Sequence, residues 1–259
     1  MDNKPLWKKR IVVTRPQAQA ASFCRKLVEA GAIPVRFPTI RITPMPDTRR
    51  LDAALRRLRD YDWIIFTSVN GVAYCWDRLA EIAAMRVPAS LRVAAIGPAT
   101  AQALREREVE PDYVPAEYVA ERIAEGLGDV AGQAILLPRA EAARKTLATL
   151  LADQGARVDE IPVYRTLPEA PPPEAFATLK AGVDVLTFTS SSTVRHYAAL
   201  VADRTPQGTE EALVACIGPI TAETAHSLGY EVATVAEEYT TDGLIRALEH
   251  HFADFNGRG

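Results

Sequence analysis

The chain has 259 residues, and its 30 lysines and arginines against 33 aspartates and glutamates leave a formal net charge of −3. With 48% hydrophobic residues, this composition excludes a disordered chain and provides no general attraction to nucleic acid. The length predicts one or two domains of about 150 residues each.

Short apolar runs alternate with segments of helical periodicity along the whole chain. The runs lack the alternation of half-exposed strands, which predicts parallel strands covered on both faces. These strands are expected at 11–13, 63–66, 93–96, 135–137, 183–188 and 213–217. Helices are expected at 17–30, 72–82, 99–107, 142–154, 194–202 and 220–228. Such alternation predicts doubly wound α/β sheets, with Gly31, Gly155 and Gly229 as left-handed caps after three helices.

The two halves of the chain repeat each other. FTSVNGV at 66–72 matches FTSSSTV at 188–194, and IGPATA at 96–101 matches IGPITA at 217–222. Further matches in the same order are Arg15 with Arg139, Pro38 with Pro162, and Glu117-Tyr118 with Glu238-Tyr239. Two copies this far apart indicate duplicated domains rather than a solenoid.

Two proline-rich stretches, 36–45 and 161–173, interrupt this pattern. We interpret both as connectors. A simple tandem of domains needs a single connector near residue 130. Two connectors predict that the chain leaves the first lobe near residue 38 and returns to it near residue 165.

Hydroxyl-bearing residues follow the strands in both copies. Thr67 and Ser68 match Thr189 and Ser190, and each Gly-Pro-x-Thr turn ends in a threonine, Thr100 or Thr221. One interpretation is helix capping and tight turns. The other is an anion site, because ligands of parallel α/β sheets bind at the carboxyl ends of strands and helix N-termini attract anions. The second requires the two lobes to face each other.

Arginines also follow the first strand of each copy. Arg15 and Arg139 could each bind a carboxylate with two hydrogen bonds. Arg144 and Lys145 are equally consistent with solvated helix-surface charges. Five arginines between 49 and 59 predict the solvated basic face of one helix.

Conventional catalytic and cofactor motifs are missing. The three cysteines form no metal or disulfide pattern, the four histidines have no ligand spacing, and no nucleotide-binding loop occurs. The first ten residues lack the apolar core of a signal peptide, and no run is long enough to span a membrane. We expect a cytoplasmic protein without metal or cofactor, which would act by binding, orienting and stabilising charge.

The ordered blocks resemble the uroporphyrinogen-III synthase family. They are 13–16 (VTRP), 66–72, 96–101, 161–166 (IPVYRT), 188–191 and 217–222. The resemblance implies two flavodoxin-like doubly wound parallel-sheet domains joined by a two-stranded linker. It places the first lobe at 1–38 plus 168–259, the second lobe at 41–164, and the connectors at 36–41 and 163–168.

The resemblance also implies an activity. The family cyclises the linear tetrapyrrole hydroxymethylbilane to uroporphyrinogen III, inverting the last ring and losing water, without a cofactor. This is a lyase reaction of tetrapyrrole biosynthesis on a substrate with eight carboxylates. We expect a monomer that binds this small molecule and neither nucleic acid nor membrane.

Site residues follow from the same resemblance. Tyr164 is expected to donate a hydrogen bond to the departing hydroxyl, although a tyrosine that packs a hinge fits the sequence too. Substrate carboxylates are expected at Arg15, Thr67, Ser68, Thr100, Arg139, Thr189, Ser190, Ser191 and Thr221. One departure lies after Arg139, where many members have glycines and this chain has Ala140, Ala142 and Ala143. Close approach of that backbone to the ligand is therefore less favoured.

Two other classes of protein fit parts of the pattern. A non-catalytic, two-lobed binding or regulatory module for an anionic small molecule would use the same cleft. A nucleotide-sugar transferase would also have two doubly wound lobes, but the acidic pair that holds its metal and diphosphate is missing. Conversion of hydroxymethylbilane distinguishes the enzyme from both.

Overall fold

A computed structural model of the chain describes residues 4–82, 87–202, 208–209 and 211–256. The strands are β1 (Arg10–Val13), β2 (Ile33–Arg36), β3 (Ile40–Pro44), β4 (Trp63–Phe66), β5 (Arg92–Ala95), β6 (Ala134–Ala140), β7 (Arg157–Pro168), β8 (Val185–Phe188), β9 (Leu213–Cys216) and β10 (Val232–Val235). The helices are α1 (Gln17–Glu29), α2 (Arg49–Leu55), α3 (Val69–Ile82), α4 (Pro98–Arg105), α5 (Ala120–Gly126), α6 (Thr146–Asp153), α7 (Pro173–Lys180), α8 (Ser191–Val201), α9 (Pro219–Ser227) and α10 (Thr241–Asn256).

The chain divides into two units, each with its own mainly parallel sheet. The first unit is Met1–Arg41 with Leu167–Gly259, and the second is Ile42–Thr166. The first sheet has the order β2-β1-β8-β9-β10, and the second has the order β3-β7-β6-β4-β5. The pairs β2-β1, β1-β8, β8-β9 and β9-β10 are parallel, as are β7-β6, β6-β4 and β4-β5. The prediction of parallel strands is therefore confirmed.

The sequence repeat corresponds to a repeat of topology. In the second sheet, β7-β6-β4-β5 occupy the places that β2-β1-β8-β9 hold in the first. The chain order differs, because β1 and β2 open the first unit whereas β6 and β7 close the second. The two copies thus have the same spatial order of strands, but the chain begins at a different strand in each copy.

The central strands have no exposed face, which explains the missing alternation. All four residues of β4 are buried, with Ile64 and Phe66 in one apolar cluster and Trp63 and Ile65 in another. Helices cover both faces through their apolar stripes. In α1, for example, the buried residues Ala20, Phe23, Cys24 and Leu27 follow helical spacing.

The two proline-rich stretches, which we interpret from the sequence as connectors, contain β3 and part of β7. In β3 and β7, Met45 N–H donates to Val163 O (3.2 Å), and Glu169 N–H donates to Thr39 O (3.0 Å). From Thr39 to Met45 the first strand advances by six residues, while the second runs back by six, from Glu169 to Val163. The two strands are therefore antiparallel, and both bonds belong to the same pairing register. Pro162 is tolerated because the register of β6 and β7 shifts beside it, as at a bulge.

Several helix boundaries differ from the prediction. The helix expected at 142–154 begins at Thr146, because 141–145 form a loop. The basic segment 49–59 is not one helix, since α2 ends at Leu55 and a short 3₁₀ helix follows at Leu58–Asp60. The cap prediction is confirmed by positive φ angles of 92°, 87° and 84° at Gly31, Gly155 and Gly229.

Candidate functional site

Parallel strands place their carboxyl ends at one edge of each sheet, and the predicted site residues lie there. We define the first rim as the residues after β1, β8 and β9: Arg15, Thr189, Ser190, Ser191 and Thr221. We define the second rim as the residues at the ends of β4, β5, β6 and β7: Thr67, Ser68, Thr100, Arg139 and Tyr164. Within each unit the strands concerned are neighbours in the sheet, so their ends lie side by side.

The Gly-Pro-x-Thr turns begin a helix on each rim. Gly97 and Gly218 are the N-caps of α4 and α9, and proline occupies the first helical position in both. Thr100 and Thr221 are only 4% and 6% exposed. Among the described residues, neither threonine hydroxyl has a hydrogen-bond partner. Each rim thus carries a deeply seated hydroxyl that is available to a ligand.

The repeated tyrosines explain why the cap of each turn is glycine. A Cβ atom on Gly97 would lie 3.1 Å from the Tyr118 ring, and one on Gly218 would lie 3.3 Å from the Tyr239 ring. Both glycines have extended φ angles, so the requirement is close approach rather than backbone freedom. Both tyrosines belong to the sequence repeat, but the sequence alone does not predict their contact with the glycines.

Ser68 and Tyr164 form the central contact of the second rim. Ser68 Oγ lies 3.0 Å from the Tyr164 hydroxyl, and it accepts a hydrogen bond from Gly71 N–H at 3.0 Å. When Ser68 accepts from Gly71 and donates to Tyr164, the phenol proton remains available to a third group. The two residues are 96 positions apart, and only the fold brings them together.

Tyr164 is also a packing residue. Its side chain is 7% exposed and belongs to the apolar cluster of the second unit. Its ring stacks on Tyr74, with centroids 5.8 Å apart and planes 23° from parallel. Tyr74 in turn donates to Ile42 O at 3.1 Å, and burial raises the pKa of its phenol. The ring of Tyr164 is therefore fixed on one side while its hydroxyl meets Ser68.

Both serines on the first rim make hydrogen bonds within the protein. Ser190 Oγ accepts from Thr193 N–H at 3.2 Å, and Thr193 Oγ1 accepts from Ser190 N–H at 3.3 Å, which is a capping box. Ser191 Oγ donates to Ile220 O at 3.3 Å and accepts from Thr224 at 2.8 Å. The capping interpretation therefore describes Ser190, whereas the hydroxyl of Ser191 links α8 to α9.

Arg15 on the first rim is a cation without a countercharge. Its Nη2 donates to Gln19 Oε1 at 3.3 Å, and its Nε is buried without a partner. In the part of the chain that the structure describes, no carboxylate lies within 4 Å of this guanidinium. Burial lowers its pKa. A partly desolvated cation in this state favours the arrival of an anion.

Arg139, by contrast, is already engaged. It is 5% exposed, its Nη1 lies 3.2 Å from Glu160 Oε2, and its Nη2 donates to Arg144 O. The interaction with the carbonyl holds the loop between β6 and α6. The side chains of Arg144 and Lys145 are exposed, as expected for solvated charges.

The remaining chemistry of the described residues is limited. They contain no group of three histidine, cysteine or acidic side chains that could hold a metal ion. Burial raises the pKa of Cys75 and of Cys216 to about 12, so neither thiol supplies a thiolate near neutral pH. No helix within the described ranges is both long and apolar enough to cross a bilayer.

Two units with parallel α/β sheets, each with hydroxyl, helix N-terminal and guanidinium groups at its strand ends, define an α/β protein whose strand ends attract anions. A family model described as uroporphyrinogen-III synthase HemD matches residues 21–246. The chain belongs to this uroporphyrinogen-III synthase family, and it is an enzyme.

Individual relatives agree with the family match. The chain is 35% identical over 257 residues to uroporphyrinogen-III synthase of Synechococcus elongatus, covering 96% of this chain and 97% of that protein. It is 31% identical over 252 residues to porphyrin biosynthesis protein HemD of Ruminiclostridium josui, covering 95% of this chain and 49% of that protein. A crystal structure of a mutant uroporphyrinogen III synthase from the extremely thermophilic bacterium Thermus thermophilus has the same fold, with a TM-score of 0.65 at 20% identity over 95% of this chain and 99% of that one.

Proposed function

We propose that the chain cyclises hydroxymethylbilane to uroporphyrinogen III, with loss of water and inversion of the last pyrrole ring. Family membership supports the substrate, and the contact between Ser68 and Tyr164 is the observation that carries the mechanism. The reaction is a lyase reaction. The C–O bond of the terminal hydroxymethyl group breaks, and its carbon bonds to the substituted α-carbon of the last pyrrole to form a spiro intermediate. The bond from that α-carbon to its original methylene bridge then breaks, and the bridge bonds to the free α-carbon of the same ring, which inverts the ring and closes the macrocycle.

Tyr164 is the proposed proton donor for the first step. As the C–O bond breaks, the hydroxyl takes the phenol proton and leaves as water, and the pyrrole retains a stabilised azafulvenium cation. Ser68, 3.0 Å away, donates to the phenolate oxygen as its charge develops. The proton that the last ring releases when it regains aromaticity restores the phenol, so protons balance over one turnover.

The rims are the proposed carboxylate sites. Thr100 and Thr221 offer hydroxyl groups without partners among the described residues, each beside a helix N-terminus that favours a nearby anion by about 0.3 to 1 kcal/mol. The guanidinium of Arg15 has no carboxylate partner among the described residues, and it can bind a carboxylate through two hydrogen bonds. A single contact of this size would not hold the substrate, so each rim relies on several such groups.

Several predicted contacts take a secondary part in this proposal. Ser190 caps a helix, Ser191 bonds to the neighbouring helix and Arg139 pairs with Glu160. We therefore propose that these three side chains shape the rims rather than bind the substrate directly. Thr67 and Thr189 are half-buried directly after β4 and β8 and remain candidates for carboxylate contacts. Exposed apolar side chains at the same helix starts, Val69 at 43% and Ile220 at 44%, suit the faces of pyrrole rings.

We also propose that the units are two flavodoxin-like lobes joined by a two-stranded linker. The strand order of the first sheet, read from β2, is that of the flavodoxin-like fold. The antiparallel pairing of β3 and β7 supports the linker, and the unit boundaries at 41/42 and 166/167 fall within or beside the expected connectors at 36–41 and 163–168.

The decisive experiment supplies the purified protein with hydroxymethylbilane and separates the product isomers chromatographically after oxidation to porphyrins. We expect the type III isomer. If only the type I isomer of spontaneous closure forms, the protein is instead a binding module for an anionic small molecule, and titration with the porphyrin product would then show binding without turnover.

A further inference from the structure

We propose that Arg165, together with Thr43, binds a carboxylate of the tetrapyrrole substrate. This inference rests on the proposed function and deepens it, because it adds a contact that lies beside the proton donor in the chain. Arg165 lies in the segment IPVYRT at 161–166, but the sequence alone assigns it no role.

The pairing of β3 and β7 brings Arg165 and Thr43 together. The two hydrogen bonds that flank them, Met45 N–H to Val163 O and Glu169 N–H to Thr39 O, have the same register. In an antiparallel pair with this register, Thr43 lies directly opposite Arg165, so their side chains leave the same face. The neighbouring residues Ile42 and Tyr164 pack into the apolar cluster of the second unit, as does Val163.

Both polar side chains have a buried atom without a partner. Arg165 Nε and Thr43 Oγ1 are each inaccessible to solvent and make no hydrogen bond. Among the described residues, no carboxylate lies within 4 Å of the Arg165 guanidinium. A buried donor without an acceptor and a partly buried cation without an anion are both unfavourable. A carboxylate that binds the terminal nitrogens of Arg165 would supply the missing countercharge, and a change of the Thr43 rotamer would bring its hydroxyl to that carboxylate.

The acidic residues of the same strand are committed elsewhere. Asp159 Oδ2 accepts from the Tyr61 hydroxyl at 2.7 Å and Asp159 Oδ1 lies 3.6 Å from Arg50, whereas Glu160 pairs with Arg139. Within β7, Arg165 is therefore the charged residue near the carboxyl end of the strand that has no carboxylate partner among the described residues. A planar guanidinium beside a hydroxyl matches a carboxylate, with two hydrogen bonds from the arginine and a third from the threonine.

The test compares Arg165→Met with Arg157→Met. Arg157 is the first residue of β7 and is exposed, so its replacement removes the same charge from the other end of the same strand. Binding of uroporphyrin III, a stable octacarboxylate, is followed by fluorescence titration, and thermal unfolding is measured without ligand. For Arg165→Met we expect a Kd about 10- to 100-fold higher, the loss that corresponds to one charged hydrogen-bond site. For Arg157→Met we expect less than about a twofold change.

Stability separates this role from a structural one. Since Arg165 is unpaired without ligand, Arg165→Met should leave the unfolding temperature unchanged or higher, and Arg165→Lys, which keeps the charge, should fold and bind with intermediate affinity. In turnover, KM should rise while kcat stays within about threefold, because the residue does not touch the reacting atoms. An unchanged Kd, or a lower unfolding temperature for Arg165→Met, would overturn the proposal.

Two controls distinguish substrate binding at Arg165 from failure of the proposed activity and from binding of a free anion. The titration measures binding of uroporphyrin III, the oxidised form of the product, rather than turnover, so it gives an answer even if the wild-type protein fails to form the type III isomer. Inorganic phosphate is titrated separately. If it raises the unfolding temperature of the wild type but not of Arg165→Met, while both bind uroporphyrin III equally, the site is one for a free anion and the substrate role is refuted.

Discussion

Replacing Tyr164 by phenylalanine tests the proposed donor with a minimal change in packing. The substitution removes one hydroxyl, which lies 3.0 Å from Ser68 Oγ, and keeps the ring that stacks on Tyr74. Ser68 still accepts from Gly71 N–H, so stability should fall by only about 0.5 to 1.5 kcal/mol, the net value of one hydrogen bond. Loss of a positioned proton donor should lower kcat by about 10- to 1000-fold, or about 1.4 to 4 kcal/mol of transition-state stabilisation.

Tyr74→Phe is the matched control for this experiment. It also removes a phenol hydroxyl from the same apolar cluster, where Tyr74 donates to Ile42 O at 3.1 Å, and it also leaves the stacked pair of rings in place. Initial rates of type III formation and urea unfolding are measured for both variants. Equal losses of activity in the two variants, or turnover of Tyr164→Phe within about twofold of the wild type, would assign Tyr164 to packing alone.

Three further predictions concern other parts of the chain. Thr221→Val should raise KM about 3- to 10-fold in steady-state kinetics and leave the unfolding temperature unchanged, because the hydroxyl has no partner among the described residues. Gly218→Ala should cost about 1 kcal/mol in urea unfolding, since its Cβ would lie 3.3 Å from the Tyr239 ring. Hydrogen bonds from Arg78 lower the pKa of Asp52, so the stability from this pair should be complete above about pH 5 and lost as the pH falls below about 4, and Asp52→Asn should remove that part of the acid dependence of unfolding.

Strand pairing explains which parts of the fold the sequence could predict. The residues of β4 are buried on both faces, so a run of apolar residues is a sufficient signal for a central parallel strand. No such signal exists for β3 and β7, where prolines interrupt the pattern and burial is uneven along the strand. Their pairing depends on hydrogen bonds between residues more than 100 positions apart, and single-sequence patterns do not contain that information.

The same limit applies to the candidate site. Sequence reasoning identified Ser68 and Tyr164 separately, but their contact depends on the positions of β4 and β7 on either side of β6. Arg139 is predicted from the sequence to bind a substrate carboxylate, whereas the pairing of β6 and β7 places the carboxylate of Glu160 beside it. Residue type and distance from a strand end predict where a ligand can bind. Which charges are already paired is decided by the register between strands.

Comparison of the two copies indicates why we assign proton transfer to one rim only. At the position of Thr193, which caps α8 together with Ser190, the second copy has Gly71, which has no side chain to bond with Ser68. At the position of Tyr164, two residues after the matched proline, the first copy has the buried Ile40. The two rims thus share the same turns and the same serine–backbone bond, but the second rim has a tyrosine hydroxyl beside its serine, where the first rim has the side chain of Thr193. The features common to both rims suit binding of carboxylates, and the unshared contact suits the chemical step.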